Sequence, residues 1–257
     1  MNAFGGLVFR RYTRRKPIGI ADPGDLSNLM QLNGCCLRSV YATANIYQTI
    51  TGVEDVYDLS NIRYCTPTWD IDGVLSNWQE TVSIANEIVT FLGSWGIDRS
   101  LYIKWSGNGC HVHVYEEAFS DELLRGRHPL DLAYATVQYV TSKISQKLRE
   151  LSPQGKTIVE NKMDLTRVFT CPLSLHRKLD IVCVCMKPRQ LSDFSPDWIS
   201  PSSFRHDNSW RDFYRGEADS LAEAAYKAIG GYPASPRPRK GKNLPLDKQI
   251  TRWLLKE

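Results

Sequence analysis

Between residues 64 and 186 the hydrophobic period switches repeatedly between two and 3.6 residues, and this order of segments constrains the fold more than any other feature of the chain. Residues 64–72 are β-branched and aromatic, which predicts a strand ending near Gly73. A helix is expected directly afterwards: Ser76 and Gln79 have capping-box spacing, and Thr81, Ala85, Ile88 and Leu92 recur at helical intervals up to Gly93. Two strand-like stretches, residues 101–105 and 111–115, flank the small turn Ser106-Gly107-Asn108-Gly109-Cys110 and predict a hairpin. An amphipathic helix follows over residues 129–148, and two further strands are expected around Asp164 and through residues 181–186. The fold class is therefore α/β in the α+β sense, with mixed, largely antiparallel sheets flanked by helices.

The flanks are less regular. Residues 6–10 read as a short strand, followed by a basic loop carrying Arg10, Arg11, Arg14, Arg15 and Lys16. Asp22-Pro23 starts a helix that Asn33-Gly34 closes, and residues 38–43 are β-rich. Beyond Lys187 the chain turns Pro-, Ser- and Asp-rich, with a small Ala-rich helix at about 219–229. A linker bearing Arg237, Arg239, Lys240 and Lys242 leads to a short terminal helix at residues 247–257 that presents Ile250, Trp253 and Leu254.

A chain of 257 residues is long enough for one large domain with its own core. No stretch approaches the roughly 18 apolar residues that span a bilayer, and the first residues lack a signal-peptide layout, so no membrane role and a cytoplasmic location are expected. The seven cysteines are odd in number and lack CxxC or Cys/His spacing, so no zinc site is expected; Cys183 and Cys185 alternate in an apolar run and read as core. The net charge of +4 is too small to prove nucleic-acid binding by itself, but the two basic clusters place it where phosphates could be met.

Three segments could carry chemistry. Asp70 and Asp72 are two apart on a predicted strand, so their carboxylates leave the same face while Ile71 faces the core. Such pairs suit Mg2+ or Mn2+, which take oxygen ligands and share them with phosphates. The same pair could equally be two solvated acids at a strand end. The turn Ser106-Gly107-Asn108-Gly109 exposes backbone N–H groups to an anion, and His111 and His113 sit on one face of the next strand, as metal ligands, phosphate donors or structural residues. The third segment offers Asp164 with the donors Arg167, Ser174, His176 and Lys178, which could neutralise a triphosphate or form a basic loop.

Taken in order, Trp69-Asp70-Ile71-Asp72, Ser106-Gly107-Asn108-Gly109-Cys110-His111-Val112-His113-Val114 and Asp164 with Pro172-Leu173-Ser174-Leu175-His176-Arg177-Lys178 resemble the archaeo-eukaryotic primase superfamily. That superfamily carries a DxD strand, an SGxxGxHxHV-like strand-turn, and a later acid followed by a PxSLHxKTG-like segment. The resemblance spans residues 1–190 and implies a primase-polymerase catalytic core with an RRM-like palm; beyond it, composition predicts an extension packing on the core (191–230) and a basic linker with a short terminal helix (231–257). It implies that Asp70, Asp72 and Asp164 are catalytic carboxylates binding two Mg2+ or Mn2+ ions. It also implies that Ser106, Gly107, His111, His176 and Lys178 contact the incoming NTP or dNTP; Asn108 in the turn, Ser174 in the donor cluster and Arg167, by its charge and nearness to Asp164, are expected to join them. The turn at Asn108 is one residue shorter than the common form and lacks its basic residue. Leu179-Asp180 replaces Thr-Gly, and the zinc module of many cellular primases is missing.

The activity implied is template-directed nucleotidyl transfer by a DNA primase or polymerase in replication or repair, nucleoid-associated or encoded on a mobile element. Template and primer DNA would lie along Arg10, Arg11, Arg14, Arg15 and Lys16, and a helicase, large primase subunit or repair factor would be the protein partner. The competing readings are a non-catalytic nucleic-acid-binding subunit that recruits a partner through its Trp253 helix, and a metal-dependent nuclease. The first has no use for three matched carboxylates with a triphosphate set. The second leaves the Ser106 turn and the Lys178 segment idle.

Overall fold

The computed structural model describes residues 7–13, 16–20, 23–32 and 39–233. Its centre is a five-stranded antiparallel sheet built from β6 (Thr68–Asp72), β7 (Leu101–Trp105), β8 (Cys110–Val114), β9 (Ile158–Glu160) and β11 (Val184–Met186), in the order β11-β7-β8-β6-β9. Helix α2 (Trp78–Ser94) follows β6, and α4 (Pro129–Lys143) and α5 (Ser145–Leu151) lie between β8 and β9. Strand, helix, hairpin, helix, strand with β6 and β8 in the middle is the split βαβ arrangement. Both α2 and α4 pack on β6, against one face of the sheet.

That packing follows from the strand period. Trp69, Ile71, Ile103, Trp105, Val112 and Val114 lie at alternate positions, are fully buried, and form one core with Ile84, Ile88, Leu92, Leu130, Ala133 and Val137 of the two helices. Leu191, Phe194, Trp198, Ile199 and Leu221 of the later chain join the same core, with Phe194 stacked on Trp105 at 3.9 Å between ring centroids. Helix α3 (Asp121–Gly126) is capped by Ser120, and α6 (Asp219–Ile229) packs against α4.

Three two-stranded ribbons surround this core. They are β1 (Leu7–Thr13) with β2 (Lys16–Ile20), β3 (Tyr41–Thr43) with β10 (Val168–Thr170), and β4 (Asn45–Tyr47) with β5 (Ile62–Cys65). Helix α1 (Pro23–Leu32) begins on the expected proline.

Several expected elements are divided or shifted. The strand foreseen over residues 64–72 is two strands, β5 and β6, because Pro67 has no N–H to continue a ladder. The helix foreseen over residues 129–148 breaks at Ile144, after Thr141 and Ser142 turn their hydroxyls back onto the carbonyls of Val137 and Gln138. Ser76 belongs to a 3-10 turn and does not cap α2; Asn77 instead donates to Glu80 at 2.8 Å. Arg10 and Arg11 lie within β1, and Lys16 begins β2, so these three are strand residues rather than loop; the β-forming run continues through Tyr12-Thr13. Arg14, Arg15 and residues 234–257, including the foreseen terminal helix, lie outside the described residues.

Candidate active site

The face of the sheet opposite α2 and α4 carries a row of side chains fixed by register. Glu160, Asp70, His111, Lys104 and Cys185 are successive Cα partners across β9, β6, β8, β7 and β11. Because directly paired residues share a face, acids gather at one end of the row and a lysine lies toward the other. A second row sets Thr68 against His113 and His113 against Tyr102, with the His113 and Tyr102 rings stacked at 4.6 Å. Phe169 of β10 covers both histidines and Lys104, which makes this face an interior wall rather than open surface.

At the acid end, Asp70 is 8 % exposed and Asp72 is open to solvent. Their carboxylates meet Glu160 on a single cation, the Lys162 ammonium, at 2.9 Å from Asp70 Oδ2, 2.6 Å from Asp72 Oδ2 and 2.9 Å from Glu160 Oε2. His111 Nε2 donates to Asp70 Oδ1 at 3.1 Å, and Ser106 Oγ lies 3.4 Å from the same nitrogen. Burial alone would raise the Asp70 carboxyl, but the hydrogen bonds and charges of His111 and Lys162 outweigh it and hold the group well below the usual carboxylate range. The three acids likewise keep Lys162 charged, against the desolvation that would lower it. His111 is pushed down by burial in spite of Asp70, so its contact is best described as a neutral imidazole N–H donating to a carboxylate. Its Nδ1 is buried without a partner among the described residues.

The lysine end is different in kind. Lys104 is 6 % exposed, rests 5.2 Å above the Phe169 ring, and has no hydrogen-bond or ion-pair partner among the described residues. A buried ammonium without a counter-ion is costly. Two residues further on, the hairpin turn begins. A Cβ on Gly109 would lie 1.9 Å from the Ile71 carbonyl oxygen, so only glycine lets the turn sit against the end of β6. The Gly107 carbonyl is taken by Trp105 Nε1 at 3.0 Å, while the amides of Gly107 and Asn108 have no acceptor among the described residues. Asn108 itself is exposed.

The third segment meets this turn through one residue. A Cβ on Gly107 would stand 3.3 Å from the His176 ring, so His176 and the Ser106-Gly107 turn are neighbours. His176 Nδ1 accepts from the backbone amides of Lys178 and Leu179, which folds the segment and leaves Lys178 exposed beyond it. Ser174 is buried and its Oγ accepts the Val40 amide at 2.7 Å, which stitches the segment to the chain ahead of β3. Leu173 holds φ of 63°, a left-handed conformation that a leucine adopts only under constraint.

Asp164 lies in the connection between β9 and β10. Its carboxylate accepts from Arg167 Nη2 and the Thr166 amide, each at 2.7 Å, and Arg167 Nε donates to the Lys162 carbonyl. The structure thus gathers Asp70, Asp72, Ser106 and His111 in one place, sets Gly107 beside His176, and ties Asp164 and Arg167 to each other. Glu160, Lys162 and Lys104 were not singled out from the sequence. Lys104 could have been, since it shares the strand face of Tyr102 in Leu101–Trp105; Glu160 and Lys162 carry no periodic signal.

Among the described residues no three His, Cys, Asp or Glu side chains stand as a ready-made ligand set, and the five described cysteines are free. The point between the three carboxylates is taken by Lys162. No described helix is long and apolar enough to cross a membrane. No protein-family model matches the chain, and no curated protein matches it.

Proposed function

We propose that the chain is a metal-dependent nucleotidyltransferase of the primase-polymerase type, extending or starting a DNA-templated strand from NTPs or dNTPs. One observation carries this reading: a cluster of three carboxylates that already converges on a cation lies on the same sheet face as a buried lysine that makes no ion pair among the described residues. A substrate carrying both a divalent ion and phosphates satisfies both at once. The split βαβ sheet supports the reading, being compatible with the RRM-like palm that the motifs imply.

The residues fit Mg2+ or Mn2+. Their donors are carboxylate oxygens, and the ammonium of Lys162 stands in for a cation at their meeting point. Asp70 and Asp72 would hold the ions. Register sets Glu160 against Asp70, whereas Asp164 is engaged with Arg167 and Thr166, so the third ligand is assigned to Glu160 and Asp164 to fixing the loop that carries Lys162. When bound, such ions supply charge stabilisation at the α-phosphate and make the 3′-hydroxyl of the primer a better nucleophile.

The other roles follow from position. His111 donates to Asp70 and orients it. Lys104 supplies the positive charge that the turn lacks at Asn108. The amides of Gly107 and Asn108, Ser106 Oγ, His176 and Lys178 line the approach for the triphosphate. Template and primer DNA would be met by Arg10 and Arg11 of β1 and Lys16 of β2, together with Arg14 and Arg15, which lie outside the described residues. A helicase, a large primase subunit or a repair factor is the class of protein partner this activity calls for.

The test supplies unprimed and primed single-stranded templates, each with labelled rNTPs or dNTPs and Mg2+ or Mn2+. Elongated product in at least one combination is expected, and the pattern separates priming from extension. Absence of product in every combination would sink the reading.

A further inference from the structure

Lys162 is not on a strand, yet it closes the acid cluster. Its ammonium has three N–H donors, and three carboxylates receive them: Asp72, Asp70 and Glu160, at 2.6, 2.9 and 2.9 Å. Without that charge, the three acids, the buried Asp70 among them, would repel one another strongly at their meeting point. The backbone around Lys162 is fixed on both sides. Asn161 Nδ2 donates to the Tyr134 carbonyl, the Met163 amide donates to Asn161 Oδ1, Met163 is buried, and the Lys162 carbonyl accepts from Arg167. The side chain, by contrast, is a quarter exposed and leads outward on four rotatable bonds. It can leave the cluster by changing rotamer while the loop stays in place.

We propose that Lys162 is a tethered counter-cation: it holds the three carboxylates in register while no divalent ion is bound, and it must swing out before one can bind. It is a positioning residue, and it sets the divalent-ion concentration at which the site loads. This rests on the assignment of Asp70, Asp72 and Glu160 as ligands. An occupied site lowers apparent affinity by the fraction of time it stands open, so the lysine weakens metal binding while it stabilises the metal-free fold.

The test measures Mn2+ binding at equilibrium, by the electron paramagnetic resonance signal of free Mn2+, for the full chain and its Lys162→Met, Lys162→Arg and Asp70→Asn variants, with the melting temperature of each in chelator. Lys162→Met is expected to bind Mn2+ about tenfold more tightly and to melt lower without metal. Lys162→Arg should return both properties toward the original, and Asp70→Asn should bind little. Equal Mn2+ affinity in the original chain and Lys162→Met, with binding lost in Asp70→Asn, would overturn the counter-cation and leave the ligand assignment standing. No Mn2+ binding by the original chain or by Lys162→Met would overturn both. A second measurement needs no variant: the 15N resonance of the Lys162 ammonium should lose its protection from solvent exchange when Mg2+ is added, and unchanged protection would overturn the proposal.

Discussion

The two ends of one strand-to-strand row are opposite in charge and in state. At the β9-β6 end three carboxylates share one cation. At the β7 end Lys104 is as deeply buried as Asp70, yet among the described residues it makes no ion pair; it rests on the Phe169 ring and feels the charge of Glu116 only at a distance. The lesson is that burial is tolerated at the acid end because the chain supplies its own counter-charge, whereas at the other end the proposed function has a triphosphate supply it. On the proposed function, a cation arriving at the site must compete with Lys162, whereas an anion arriving at Lys104 displaces no ion-pair partner among the described residues.

The comparison breaks first at its acid end. Removing one ligand should cost several kcal/mol of transition-state stabilisation, so Glu160→Gln is expected to slow nucleotide incorporation by about 10^3-fold. Asp164→Asn, which disturbs only Arg167 and Thr166, should slow it by less than about tenfold. Single-turnover rates decide between them, and the reverse order would return the third ligand to Asp164.

At the lysine end the expected loss is smaller and of another kind. A charge-assisted hydrogen bond contributes about 1.5–3 kcal/mol, so Lys104→Ala should raise KM for the triphosphate by roughly 10- to 100-fold while kcat changes less. A fall in kcat with unchanged KM would move Lys104 from substrate binding to the chemical step.

The smallest effect lies between the ends. Burial, with the charges of Lys104 and His111, holds the His113 imidazole well below its ordinary value of 6.5. In the folded state the ring therefore stays neutral while the unfolded chain takes up a proton below pH 6.5, so stability is present above that value and falls as the pH drops through it. His113→Gln should flatten the pH dependence of the denaturation midpoint between pH 6.5 and 5. An unchanged slope would show that other groups carry it.

The same contrast explains what the sequence could reveal. Strand β6, the β7-β8 hairpin and helix α6 were legible because their side chains alternate or recur over five residues or more. The convergence of Asp70 and Asp72 followed from their spacing alone. Glu160 was not legible: β9 has three residues, Ile158 and Glu160 are exposed, and only pairing with β6 gives the acid its place. Lys162 lies outside any regular element, so nothing local marks it. Asp164, four residues beyond Glu160, drew attention because it precedes the donor cluster. Pro67 divides the run of β-formers over residues 64–72, whose side-chain pattern alone predicts one continuous strand.

The most direct measurement compares the chain with its Asp70→Asn variant on a primed template, with Mn2+ and labelled nucleotide, after both are shown to have the same far-ultraviolet circular dichroism spectrum. Incorporation by the original chain and none above background by the variant is the predicted result. Equal incorporation by both would contradict the assignment of the Asp70 carboxylate to the chemistry.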